Sequence, residues 1–165
     1  MPIKAKKMNE KTRQLILYLV KNNPKSSITS LMKLAYLSDL VNVKRSKKQI
    51  SNFNYKRYHY GPFDRQIYSY VETLTEDGLI FAESDYGATG EEFSVFSIVP
   101  EKSDELDFSK LNASEVGVVD KLLNSVRGYG ARFLTEIAYK TKPMKGLKAT
   151  VGGSEHLGKK LNLKK

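Results

Sequence analysis

The chain contains no cysteine and no tryptophan, and only two histidines, His59 and His156. Without cysteine there are no disulfides, no thiolate metal sites and no cysteine nucleophile. A zinc site would need both histidines plus carboxylates, and His156 sits in the glycine-containing stretch "TVGGSEHLG", so no metal or other cofactor is expected. There is no apolar run long enough for a transmembrane helix. The start, "MPIKAKKMNEKTRQ", is basic but leads into no apolar stretch, so it does not read as a secretory signal. The phosphate-cradling GxxxxGK[ST] loop and the GxGxxG turn are both missing. A Ser-His-Asp triad would have to use His59 or His156, and neither has a nucleophile motif beside it. Asp39 and Asp64 could form an acid/base pair only if the fold joined them. The expectation is a non-enzymatic, cytoplasmic protein with no small-molecule substrate and no membrane partner.

What is present is charge. The 165 residues carry a net +10, but not evenly. From Glu72 to Asp107 there are eleven acids and one base, a net of −10, which leaves +20 for the rest. The basic groups begin with Lys4, Lys6, Lys7, Lys11 and Arg13, and continue with Lys44, Arg45, Lys47, Lys48, Lys56, Arg57 and Arg65. Further lysines run from Lys140 to Lys165. Lys44, Arg45, Lys47, Lys48, Lys56 and Arg57 are the candidate phosphate contacts of a nucleic-acid reading, with aromatics interleaved for stacking. Solvated helix ends are the plainer account of the same cations.

Hydrophobic spacing predicts a first helix over Asn9–Asn22, with Leu15, Ile16, Leu19 and Val20 repeating at helical period. Ser27 or Thr29 is suited to cap a long second helix through "TSLMKLAYLSDLVNVKRS". Leu31, Leu34, Ala35 and Val41 form one stripe of that helix, and Met32, Tyr36, Leu40 and Val43 form the next. Two stripes imply burial around much of the circumference. Asp39 falls inside this apolar pattern and, if buried, requires hydrogen-bond partners. The candidates are the backbone of the Gly61–Asp64 turn, Arg65 and the Tyr60 phenol.

"YHYGPFDRQIYSYVETL" crowds Tyr58, His59, Tyr60 and Phe63 around Gly61-Pro62. Pro62 pre-sets a helical φ, so the pair is expected to open a third helix with Ile67, Val71 and Leu74 inward. "LIFAESDY" and "EEFSVFSIV", joined by "GATG", predict a β-hairpin. Two further helices follow, about Ser114–Arg127 and Ala131–Thr141. The fold class is α+β and mostly helical: a winged-helix-like core of three helices and a two-stranded hairpin, plus two C-terminal helices. Residues 1–148 form one domain, and the Gly- and Lys-rich tail, 149–165, is expected to be loosely held. The hairpin's Glu83, Asp85, Glu91 and Glu92 would repel phosphates, so reading DNA by helix and wing is disfavoured.

Three segments together resemble a known family. "LMKLAYLSDLV", "YKRYHYGPFDRQIYSYVETLTEDGLI" and "VRGYGARFLTEIAYKTKPMK" are similar, in order and spacing, to the Panacea domain, the SocA-like antitoxin domains. The resemblance spans roughly Ile28 to Lys145. It implies an antitoxin or adaptor that binds and neutralises a partner toxin in a prokaryotic toxin–antitoxin system, in some members handing it to a protease. It carries over to Leu34, Tyr36, Leu37, Asp39, Tyr60, Gly61, Pro62 and Leu134. The candidate partner-binding or signature residues are therefore Tyr36, Asp39, Tyr58, His59, Tyr60, Gly61, Pro62, Phe63 and Arg65. The alternative is a nucleic-acid-binding regulator of its own operon.

Overall fold

The fold is known from a computed structural model, which describes residues 8–164. Lys4, Lys6, Lys7 and Lys165 of the basic set lie outside the described residues. Of the described residues 48% are helical and 15% lie in strands, which makes this a mostly helical α+β protein.

Helix α1 (Glu10–Asn22) is capped by Asn9, whose side chain accepts from the Thr12 N–H. Strand β1 (Ser26–Ser27) leads into helix α2 (Ile28–Ser46). Ser27 caps α2 by accepting from the Ser30 N–H, while Thr29 lies within the helix. Thirteen of the nineteen α2 residues are buried, so it is the central helix that its two stripes imply. It touches α1, α3, α4 and α5 as well as the sheets. Val41, placed in a stripe by its spacing, is instead 38% exposed although Asn42 and Val43 beyond it are buried, because position 41 falls on the side of α2 that no neighbour covers. Lys44 and Arg45 lie in that last turn, where cations oppose the helix dipole.

After α2 the chain does not go straight into the next helix. Lys56–Tyr58 (β2) and Gly61–Phe63 (β3) form an antiparallel hairpin, Arg57 opposite Pro62 and Tyr58 opposite Gly61. Gly61-Pro62 therefore belongs to a strand and does not open the third helix. A proline fits there because its side of β3 needs no ladder donor. Helix α3 (Gln66–Glu76) begins three residues later, and the Asp64 carboxylate accepts from the Gln66 N–H at 2.9 Å. Ile67, Val71 and Leu74 face inward, joined by Tyr70, which is only 2% exposed.

Strands β4 (Ile80–Tyr86) and β5 (Glu92–Ile98) form the expected hairpin, and Gly78 turns into it at φ +73°. Strand β1 adds to it, so the sheet has three strands in the order β1-β5-β4 where two were expected. Pairing Ser26 with Phe96 ties the sheet to the start of α2. A 3-10 turn (Pro100–Glu105) precedes α4 (Ala113–Ser125), which Asn112 and Glu115 close with a reciprocal capping box. Helix α5 (Ala131–Tyr139) and the short α6 (Lys142–Lys145) complete the helices.

The tail is not loosely held. Lys159 O accepts from the Arg57 N–H, Tyr55 O from the Leu161 N–H and His59 O from the Gly152 N–H. Leu161 and Leu163 are each 5% exposed and join the core cluster. The segment lies along β2 because β2 has a free edge and the tail supplies both backbone donors and two apolar side chains.

Candidate functional site

The candidate residues of the sequence separate into an interior framework and an outer surface. The framework begins at Asp39, which is 0% exposed. Its carboxylate accepts from the Ile50 N–H at 2.7 Å, the Ser51 N–H at 2.9 Å, the Ser51 hydroxyl and the Tyr55 phenol at 2.6 Å. The partners are thus the connector after α2. None of the Gly61–Asp64 backbone, Arg65 or Tyr60 takes part, because α2 directs Asp39 toward the segment that folds straight back from its own C-terminus. Burial pushes the Asp39 carboxyl up to about 6, against the four hydrogen bonds, which pull it down. The same burial, reinforced by the Asp39 charge, holds the Tyr55 phenol well above its ordinary value.

Tyr36 is also interior. Its hydroxyl lies 2.7 Å from Thr141 Oγ1, and its ring meets Tyr55 edge-on at 5.2 Å between centroids. It fastens α2 to the α5–α6 junction and presents nothing to solvent.

A residue the spacing did not single out, Lys33, lies one turn earlier. It is 1% exposed, and its ammonium donates to Pro62 O at 2.8 Å. No carboxylate pairs with it among the described residues. Burial alone brings it down to about 7. Its only legible signal was a lysine interrupting the buried stripe of "LMKLAYL". Lys33 supports the β2–β3 hairpin from below, and Gly61 shows how closely that hairpin approaches. Gly61 has φ +99°, and a Cβ there would stand 3.2 Å from the Tyr139 ring. The φ calls for glycine, and the contact would press any side chain there tightly on the ring.

Arg57 is likewise interior, at 0% exposure. Its guanidinium donates to Thr150 O at 2.9 Å, Gly153 O at 3.2 Å and Tyr58 O. It anchors the tail and is not available to stack on a base. The other nucleic-acid candidates, Lys44, Arg45, Lys47, Lys48 and Lys56, are exposed.

The outer surface is built on this framework. His59 and Tyr60 form the tip of the β2–β3 turn, both exposed, and Tyr60 is 62% exposed. The His59 ring Nδ1 stands 3.0 Å from Gly153 O, and its carbonyl accepts from the Tyr139 hydroxyl. Tyr58 and Phe63 are half-buried and meet edge-on at 5.7 Å. Phe63 continues to Tyr68 at 5.9 Å, and Arg65 is exposed beside them. This aromatic path runs from the hairpin onto α3 and ends in a groove. The groove, of about 760 Å³, lies between α3 and the β4–β5 sheet, with the start of α2 at its base. Its apolar wall is Ile28, Tyr68, Val71, Phe93 and Phe96, and Glu72 and Glu76 stand on its helix side. Sequence reasoning missed it because Phe93 and Tyr68 become neighbours of one groove only once the sheet folds against α3.

Among the described residues no three His, Asp or Glu side chains gather as metal ligands, and no helix is long and apolar enough to cross a membrane. The arrangement is an exposed aromatic surface on a buried, hydrogen-bonded framework. No curated protein matches the chain. The model of the family described as "Antitoxin SocA-like, Panacea domain" matches residues 31–143. That span begins at the buried stripe of α2 and ends in α6, so it takes in Lys33, Asp39, the β2–β3 hairpin, α3 and the whole sheet but for β1. This chain belongs to the SocA-like antitoxin family, the Panacea domain.

Proposed function

We propose that the protein is an antitoxin that neutralises a partner toxin by binding it, and that it acts through a surface and catalyses no reaction. The family match over residues 31–143 carries the reading. The aromatic path from Tyr58 through Phe63 to Tyr68 supports it. Tyrosine and phenylalanine held by a rigid scaffold are suited to anchor a protein partner at little entropic cost. Transfer of the bound toxin to a protease is compatible with the same mode, and the cytosol is the proposed site of action. The test is co-expression with the toxin-like open reading frame beside this gene in its host. Growth should be restored, and the two proteins should co-purify. A neighbour that stays toxic and forms no complex would overturn the proposal.

A second reading, a nucleic-acid-binding regulator, is favoured by the exposed Lys44, Arg45, Lys47 and Lys48 at the end of α2. The order α1, α2, α3, β4, β5 supports its winged-helix form. Binding through several phosphates would weaken steeply with salt. Reversing those four charges should then abolish it. Indifference to duplex and single-stranded DNA at low salt would remove this reading.

A further inference from the structure

We infer that the groove between α3 and the β4–β5 sheet receives a cationic amphipathic helix of a partner protein. The inference deepens the antitoxin reading and rests on it for the partner's identity as the toxin.

Four observations converge on that occupant. The lining is predominantly apolar, and two of its three aromatic residues are left in solvent, Tyr68 at 54% and Phe93 at 39% exposure. Exposed aromatic area of this kind, at the mouth of a formed groove, is the usual mark of an interaction site.

The charge at the groove is all of one sign. Glu72 and Glu76 line it, and no lysine or arginine does. Neither glutamate forms an ion pair with a described residue. The strand register adds a third acid: Ala82 pairs with Phe96, Ser84 with Ser94 and Tyr86 with Glu92. Alternation then places Glu92 on the same face as the groove-lining Ser94 and Phe96, while Glu83, Asp85 and Phe93 lie on the opposite face, so that Phe93 meets the groove at its rim. A partner that fills the groove must be apolar on one side and positive at its flanks. Phosphate is excluded by the same charges.

The backbone decides between a helix and a strand. The sheet wall of the groove is a face, on which Ala82, Ser94 and Phe96 share one side; strand hydrogen bonds lie in the plane of the sheet, where β5 pairs along its length with β4 and, at Val95 and Phe96 only, with β1, and α3 is internally bonded. That face therefore offers side chains and no backbone donors or acceptors. An extended segment would leave its own N–H and C=O groups unmatched there, whereas a helix satisfies them internally. A helix lying in an apolar groove is read through anchors at i, i+3, i+4 and i+7.

The groove is also pre-formed. Pairing of β1 with β5 fixes the sheet to the first residues of α2, and the floor residues Val71 and Phe96 belong to the core.

The experiment titrates the full chain into two labelled synthetic peptides, read by fluorescence anisotropy. Both have leucine at i, i+3, i+4 and i+7; one carries lysine at the remaining positions and the other glutamate. The Leu/Lys peptide should bind and the Leu/Glu peptide should not. Glu72→Lys with Glu76→Lys should weaken the Leu/Lys complex roughly tenfold and admit the Leu/Glu peptide. Tyr68→Ala with Phe93→Ala should weaken it similarly. All four positions are exposed, and an unchanged circular dichroism melt checks the fold; if a pair unfolds, Glu76→Lys and Phe93→Ser alone replace it. Equal binding to all three proteins, or none to the wild type, overturns the inference. So does a homodimer that Tyr68→Ala/Phe93→Ala dissolves, since the groove would then be a self-interface. The same variants enter the toxin-rescue assay. Failure of the wild type there defeats the antitoxin reading while the titration still decides the groove. Rescue that survives both double variants defeats the groove assignment alone.

Discussion

Replacing Asp39 by alanine should separate a structural role from a partner-binding one. The change leaves the Ile50 and Ser51 N–H groups, the Ser51 hydroxyl and the Tyr55 phenol without their acceptor. The hydroxyls can turn elsewhere. The two amides cannot, and both belong to buried residues. An orphaned buried donor costs about 1–3 kcal/mol, so the amides alone lose roughly 2–6 kcal/mol. Against this, the carboxylate itself is costly to hold ionised, since burial raises it from 3.8 to about 6, worth on the order of 3 kcal/mol at neutral pH. The net expectation is a loss of up to about 3 kcal/mol at pH 7, or up to some 12 °C in melting temperature for a domain this size, and of roughly 2–6 kcal/mol at pH 4, where the folded carboxyl is protonated and the offset is gone. The sign of the pH dependence follows from the raised value. Between 3.8 and about 6 the folded protein holds a proton that the unfolded chain has released. Wild-type stability from this group is greatest below pH 4 and is lost as the pH rises through 6. The gap between wild type and Asp39→Ala should therefore widen on going from pH 7 to pH 4. Asp39→Asn, which keeps an acceptor for the amides, should fall between the two and lack the pH term. Urea titrations at pH 4, 5, 6 and 7 read all of this. An alanine variant that melts with the wild type at pH 4 yet no longer rescues cells would refute the reasoning and place Asp39 at the partner surface.

Two further outcomes follow from the same interior. Burial brings Lys33 from 10.5 to about 7, so between those values the unfolded chain binds the extra proton and wild-type stability should rise with pH. The rise, up to ~4 kcal/mol, should appear between pH 7 and 10 and vanish in Lys33→Met. Above pH 10 the raised phenols Tyr36 and Tyr55 work against it. A wild type whose denaturation midpoint tracks that of Lys33→Met across this range would refute the assignment. Separately, ending the chain at residue 148 removes Leu161 and Leu163 from the core and should cost about 3–6 kcal/mol, with Tyr55 and Arg57 newly reachable by protease. A truncated protein with the full-length melting temperature would instead support residues 1–148 as a self-sufficient domain.

Much of the framework was legible because it depends on local patterns. The two stripes of α2 announced a central helix, Ser27 and Thr29 were the two candidates for its cap, and the switch from helical to alternating period announced β4–β5. An acid amid Met32, Leu40 and Val43 had to be hydrogen-bonded wherever it pointed, and Asp39 is. The family was legible too, because its segments lie in order along the chain and each is short enough to be read without knowing what it touches.

What local pattern does not encode is which distant groups meet. Gly61-Pro62 is equally compatible with a helix start and with a strand; the choice fell to β3 because Lys33, Tyr139 and the tail all converge on that hairpin. Arg57 looked like a surface cation beside Lys56, and only the return of residues 150–161 along β2 buries it. Lys33 was not singled out by its spacing, yet a carbonyl twenty-nine residues away accepts its hydrogen bond. The groove has no linear signature at all, since Ile28, Val71 and Phe96 come from three separate elements. The amino-acid sequence determined which faces had to be buried and which polar groups needed partners, because those are properties of one helix or strand and its solvent. Tertiary structure alone decided the partners themselves and the shape of the surface left outside, because both arise from contacts between segments whose separation along the chain carries no energetic preference of its own.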